Sequence, residues 1–179
     1  MTLIWSRVDQ KLIHGQISAA WVPFLRADAL LVADNDVAGD VQAQRIMMLG
    51  LASEIKVTAF TRPALLFSML ADKKFLKRRV LVLFKDLEGF LEALGDEDQY
   101  KDKDEDKDKG KDKKELPLKL LNLGNQVCRG PGLDTLLGES FYACSDELEK
   151  LAEFHYKKGL EIVVQTLPAS KAASWPPQG

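Results

Sequence analysis

Two short runs in this chain are apolar almost throughout: ALLVA at 29–33 and RVLVLF at 79–84. Continuous runs of this length suit strands covered on both faces rather than strands with one wet side. That requirement dictates the rest. Strands buried on both faces need helices above and below them, and helices joining strands impose crossover connections and a mostly parallel sheet. The remaining sequence supplies them. TLIWSRV (2–8) reads as a first strand and GQISAAWVPFL (15–25) as a helix that Pro23 should end or kink. Asp40 can cap a helix with Val41, Met48 and Leu51 along one side. EIKVTAF (54–60) alternates as a strand, and Pro63 opens a helix through about Leu70. DLEGFLEAL (86–94) is a weaker helix, because Gly89 costs roughly 1 kcal/mol against Ala. PLKLLNLG (117–124), SFYA (140–143) and LEIVVQTL (160–167) read as further strands. Between the last two, Ser145 caps a helix with an acidic first turn and a Lys157–Lys158–Gly159 end. The expected fold is therefore α/β, one domain with a mostly parallel central sheet and helices on both faces.

The pattern breaks once. KDKDEDKDKGKDKKE (101–115) has no apolar residue and balances seven Lys against seven acidic groups. It has nothing to bury against its ordering entropy, so it reads as a solvated insertion at about 96–115 within a domain spanning 1–168. The end of the chain, 169–179, reads as a loose tail. A net charge of −2 provides no field for nucleic acid. No apolar run reaches the ~18–20 residues that span a bilayer, and MTLIWSR lacks the parts of a signal peptide. Two cysteines, Cys128 and Cys144, make neither a disulfide framework nor a zinc site. No metal or cofactor is expected.

In a parallel sheet, chemistry gathers where strands end and helices begin. The first such loop is SRVDQKLIHGQI (6–17), which contains His14, one of two histidines in the chain. A helix start aims backbone N–H groups outward and favours an anion. Arg7 and Lys11 would add charge and hydrogen bonds to phosphate oxygens, and Gly15 permits close approach. The imidazole there can act as a general base, bind a metal or attack phosphorus. A base has no obvious companion in the loop, a metal lacks a second ligand, and a nucleophile uses every neighbour. A surface histidine with no chemistry is the plain alternative. No Walker or dinucleotide glycine motif supports a nucleotide. His155, in a helix with Leu148 and Leu151 at core spacing, reads as structural.

RVDQKLIHGQI resembles the R-[IV]-D-x-R-L-I-H-G-Q-V signature of the IIB component of the mannose/fructose/sorbose family of bacterial sugar phosphotransferase systems. LLVADNDVAGD (30–40), RVLVLFKDLEGFLEAL (79–94), LKLLNLGN (118–125) and LEKLAEFHYKKGLEIVVQTLP (148–168) are similar to later parts of that family. The resemblance implies a phosphotransferase of the protein-phosphohistidine–sugar type. His14 would take a phosphoryl group on Nδ1 from a phosphorylated IIA partner and pass it to a sugar entering through membrane IIC and IID partners. It implies phosphate contacts from Arg7, Lys11, Gly15 and Gln16, and supporting roles for Asp9 and Asp34; Arg129, in the stretch QVCRG that departs from the family pattern, is a further residue that could reach the phosphate. It also implies a cytoplasmic protein held at the inner membrane through those partners. Lys11 stands where the family usually has Arg, and Asn125 replaces the second glycine of a strand-end pair. A regulatory variant, in which His14 is phosphorylated but the protein signals by binding a partner, fits the same residues.

Overall fold

A computed structural model of the chain describes residues 2–95, 118–127 and 135–177. The Lys/Asp-rich insertion, Cys128 and Arg129 lie outside the described residues.

The central sheet has seven strands in the order β3-β2-β4-β1-β5-β8-β9. These are β1 (Leu3–Asp9), β2 (Ala29–Ala33), β3 (Val57–Thr61), β4 (Arg79–Phe84), β5 (Leu120–Asn125), β8 (Glu161–Val164) and β9 (Ala173–Trp175). All neighbours pair in parallel except β8 and β9. The two apolar runs become β2 and β4, adjacent and almost wholly buried. A small antiparallel pair, β6 (Thr135–Leu137) and β7 (Phe141–Ala143), joins the end of β5 through a parallel bridge between Gln126 and Phe141. The mostly parallel, helix-flanked α/β fold expected from the sequence is the fold observed.

The helices are α1 (a π-helical turn, Ile17–Trp21, followed by Val22–Leu25), α2 (Asn35–Gly39), α3 (Val41–Leu49), α4 (Leu66–Leu70, after a 3-10 turn at Pro63–Leu65), α5 (Leu87–Gly95) and α6 (Ser145–Lys158). One core packs Phe90 of α5 and Leu151 of α6 against Val8, Val82, Leu121, Leu123 and Ile162. A second packs Ile17, Trp21, Val22 and Leu25 of α1 against Leu30, Val32, Leu81 and Leu83. Residues two apart on a strand share a face, so these clusters lie on opposite sides of the sheet.

Several expectations need correcting. Pro23 does not end α1. The helix widens to π spacing before it, with Val22 N–H bonding the Ile17 carbonyl five residues back, and the ladder passes the missing donor. Asp40 does cap α3, accepting the N–H groups of Gln42 and Ala43, but Val41 and Met48 point to solvent and no residue of α3 is buried. Its contact with the core comes from Met47 and, just beyond the helix, Leu51 and Ala52. The cap of α6 is Cys144 rather than Ser145, and Glu147 bonds back to the Cys144 N–H at 3.0 Å. The stretch read as a loose tail is partly ordered: Ala173–Trp175 adds to the sheet edge as β9, with Trp175 opposite Ile162.

The order of strands fixes where a ligand would sit. From β1 the chain crosses leftward, through α1, to β2. From β5 it proceeds rightward, through α6, to β8. Neighbouring strands whose connections leave in opposite directions open a crevice at their C-terminal ends. One such crevice lies between β1 and β5, at the end of the strand that carries the His14 loop.

Candidate functional site

The residues after β1 make a tight, irregular turn. Leu12 N–H bonds the Asp9 carbonyl at 2.9 Å, and Leu12 adopts a left-handed backbone with φ of 52°. Leu12 and Ile13 bury their side chains in the second core, which leaves His14 half-buried at the surface and Lys11, Gly15 and Gln16 exposed. The loop is thus anchored by two apolar side chains and presents four functional groups outward. Gln10 stitches it to the neighbouring strand end: its N–H bonds the Asn125 carbonyl at 2.8 Å, and its Oε1 accepts from Val127 N–H.

The His14 ring has two contacts. Nδ1 lies 2.9 Å from the Leu12 carbonyl oxygen, and Nε2 lies 3.3 Å from Gln16 Oε1. Both oxygens only accept, so each contact calls for a ring N–H, and the shorter one, to Leu12, favours the Nδ1 proton in the neutral ring. Nδ1, the nitrogen expected to carry a phosphoryl group, is therefore engaged in this conformation. The first bond of the following helix runs from Ser18 N–H to the His14 carbonyl. The N–H groups of Gly15, Gln16 and Ile17 precede that ladder, in the position that receives anions. A Cβ on Gly15 would meet no atom within 4 Å, so the space over this backbone is open.

Lys11 and Arg7 were expected to share the phosphate, and the structure separates them. The Lys11 side chain is exposed and makes no hydrogen bond or ion pair among the described residues. Arg7 is 1% exposed, and its five N–H groups all have partners inside the protein. Nε and Nη2 donate to Asp9 Oδ2 at 3.2 and 2.8 Å. Nη1 donates to Asn122 Oδ1 and to the Gln165 carbonyl, and Nη2 also reaches the Thr166 carbonyl. The indole of Trp21 covers the guanidinium 4.5 Å away, and Trp21 Nε1 donates to the same Thr166 carbonyl. Burial lowers the Arg7 pKa, and the adjacent Asp9 carboxylate opposes that shift. Arg7 has no donor left for a phosphate in this arrangement. Its place is under the loop.

Asp9, wholly buried, links the two levels. One carboxylate oxygen holds Arg7, and the other accepts the Lys11 backbone N–H at 3.3 Å. Asp34 ends β2 at the same edge of the sheet, but its carboxylate accepts the Val37 N–H at 2.8 Å and caps α2; none of its hydrogen bonds reaches the His14 loop. Nearby, a hydrogen bond from Lys85 to Asp36 raises the lysine pKa. Arg129 lies outside the described residues. His155, read as structural, bonds the Leu160 carbonyl through Nδ1 at 2.8 Å. No group of three or more metal-ligating side chains occurs among the described residues.

Sequence reasoning had not assigned parts to Asn122, Gly124 and Trp21. A signal for Asn122 was present: an amide in the middle of the apolar run LKLLNLG needs a buried partner.

A parallel α/β sheet with a solvent-facing imidazole at its switch point, at the head of a helix, defines a fold class and a phosphate-compatible loop. The family behind it follows from comparison. The family model for the PTS system sorbose subfamily IIB component matches residues 3–103, and the chain belongs to this family. The N-acetylgalactosamine-specific phosphotransferase enzyme IIB component 2 of Escherichia coli (strain K12) is 42% identical over 59 residues, covering 33% of this chain and 38% of that protein. The PTS system fructose-specific EIIB component of Bacillus subtilis (strain 168) is 30% identical over 59 residues, covering 33% and 36%. The matched stretch therefore spans less than two-fifths of these relatives. Solved structures agree along the whole fold. The chain is similar to manxB from Thermoanaerobacter tengcongensis with a TM-score of 0.74 at 20% identity, covering 97% of this chain and 94% of that one. The IIBSor domain of the sorbose permease from Klebsiella pneumoniae gives 0.73 at 17% identity, covering 97% and 93%. Among the described residues, no helix is long and apolar enough to cross a membrane.

Proposed function

We propose that this chain is a phosphocarrier in which His14 accepts a phosphoryl group from a phosphohistidine of a IIA partner and donates it to a sugar delivered by a IIC/IID permease. The observation that carries this reading is the half-buried His14 ring at the leading N–H groups of α1, in a loop whose exposed Lys11 side chain makes no hydrogen bond or ion pair among the described residues. Family membership supports it, as does the phosphotransferase named in the E. coli relative.

The chemistry is two in-line displacements at phosphorus. In the first, a His14 ring nitrogen attacks, its P–N bond forms, and the P–N bond to the donor imidazole breaks. In the second, a sugar hydroxyl attacks, an O–P bond forms, and His14 leaves with its lone pair restored while the hydroxyl proton is released. Both pass through loose transition states with charge on the three equatorial oxygens. Lys11 and the backbone N–H groups stabilise that charge. Transfer at Nδ1 requires the ring to turn off the Leu12 carbonyl and its proton to pass to Nε2, which leaves the lone pair on Nδ1. Gln16 Oε1, beside Nε2, then accepts a hydrogen bond from the Nε2 N–H of that tautomer. Working between a IIA protein and a membrane permease, the chain acts at the cytoplasmic face of the inner membrane without entering it.

The test is incubation with phosphorylated IIA, followed by mapping of the acid-labile phosphate by mass spectrometry at alkaline pH. The expected result is label on His14 that disappears in His14→Ala. Label on His155, or no label, overturns the proposal.

A further inference from the structure

We propose that Asn122 and Gly124 are positioning residues for phosphoryl transfer at His14, acting through the buried Arg7. The inference rests on the phosphocarrier reading for its rate measurement but not for its spectroscopic one.

β1 and β5 pair in register from Ser6–Leu121 to Val8–Leu123, and then Asp9 stands opposite Asn125. Gly124 is the residue skipped, an extra position on β5 at the mouth of the crevice. Such bulges re-aim a strand end beside a site. Here the bulge has a tenant. A Cβ on Gly124 would fall against Arg7 Cζ, Nη1 and Nη2, closer than real Cβ atoms approach any neighbour, so the guanidinium occupies the volume that any side chain at 124 would fill. Two residues earlier, Asn122 Oδ1 accepts from Nη1. β5 thus shapes a slot with one acceptor in it, and the carbonyls of Gln165 and Thr166 and the Trp21 ring complete the walls.

From the slot to the reacting ring the path is short and continuous. Arg7 grips Asp9 Oδ2; Asp9 Oδ1 receives Lys11 N–H, and the Asp9 carbonyl receives Leu12 N–H. These bonds hold Leu12 in its left-handed conformation, and the Leu12 carbonyl faces His14 Nδ1. A buried ion pair costs desolvation and is retained only when its geometry is well supported. This one orients the loop that carries the nucleophile. If Arg7 loses its acceptor at 122 or its space at 124, Asp9 shifts and the Leu12 carbonyl moves with it.

The experiment compares Asn122→Ala, Gly124→Ala and Asn122→Asp with wild type, each confirmed folded by thermal melting. Two quantities are read: single-turnover transfer from phosphorylated IIA at saturating donor, and the nitrogen-15 shifts of the His14 ring in the unphosphorylated protein. Asn122→Ala should slow transfer by roughly tenfold to a hundredfold, as expected for a misplaced reacting group. The donor concentration for half-maximal rate should change little. The ring should lose its preference for the Nδ1–H form. Asn122→Asp, which keeps an oxygen facing Nη1, should restore both. Gly124→Ala should behave like Asn122→Ala; if it fails to fold, the asparagine pair carries the test, because truncation at 122 adds no atoms to the slot. Transfer within about twofold of wild type with unchanged ring shifts in Asn122→Ala overturns the positioning role. If wild type itself takes no label on His14, the phosphocarrier reading fails, while the ring shifts still report whether Asn122 governs the loop.

Discussion

The two halves of the sheet are built on different principles. On one side of β1, β2 and β4 bury Leu30, Leu31, Val32, Leu81, Val82 and Leu83 with little more than hydrocarbon between two helical layers. On the other, β1 and β5 bury Arg7, Asp9 and Asn122. The apolar half holds itself together by area and volume, and many sequences of the same bulk would satisfy it. The polar half admits few alternatives, since each donor of Arg7 meets a specific acceptor. The strand shared by both halves ends in the His14 loop. The apolar half therefore supplies stability, and the polar half supplies the shape of the site.

Substitutions can break or sharpen this division. Arg7→Ala should have the largest effect, destabilising the fold by roughly 3–5 kcal/mol because Asp9 is left buried without its counter-charge. Urea unfolding would measure it, and the folded fraction should transfer phosphate poorly. Leu83→Ala, in the other half, should cost about 2–5 kcal/mol yet leave the transfer rate of folded protein near wild type. A rate loss as large as that of Arg7→Ala would mean the two halves are not separable. Asp28, before β2 at the opposite edge of the sheet, offers a pH-dependent control. Burial pushes its carboxyl up, but hydrogen bonds from Arg79 N–H and the Arg78 guanidinium outweigh that and hold it below its ordinary value. A depressed folded pKa contributes stability that is present above the unfolded value, near about 4, and is lost as the pH falls through the folded one. Asp28→Asn should therefore cost about 1 kcal/mol at pH 7, with the gap to wild type closing in acid. Its transfer rate should not change. Lys11→Ala should move stability least, within about 0.5 kcal/mol, and still shorten the lifetime of the phosphorylated form. Lys11→Arg should lengthen that lifetime or leave it unchanged; marked acceleration of hydrolysis would remove Lys11 from the phosphate.

The same division governed what could be read in advance. ALLVA and RVLVLF declare buried strands by composition alone, and the helix ends at Asp40 and Gly159 declare themselves by capping chemistry. His14 stands out in the sequence because a strand-to-helix loop is where such folds act, and its motif is specific. Arg7 is buried with its donors on protein acceptors, although charge near a phosphate loop suggests contact with the phosphate. Only the bulge at Gly124 and the amide of Asn122, more than a hundred residues away, show that the guanidinium turns inward. Pairings at that separation are set by register, which no local pattern reveals. The outward face of α3 escaped for a similar reason: its apolar spacing was real, but α1 already covers the neighbouring strands. The edge strand Ala173–Trp175 escaped because a short segment ending in two prolines looks like a terminus until β8 offers it an unpaired edge.

The central claim is that phosphate meets this protein at the His14 ring, with Arg7 beneath it and Lys11 beside it. The most direct measurement is phosphorus–nitrogen coupling in the nitrogen-15 spectrum of the phosphorylated protein. The account predicts coupling at Nδ1 of His14, together with loss of the Nδ1–H form that the Leu12 carbonyl holds at rest. Coupling at Nε2 with that hydrogen bond intact would contradict the turning of the ring, and coupling absent from His14 would contradict the claim itself.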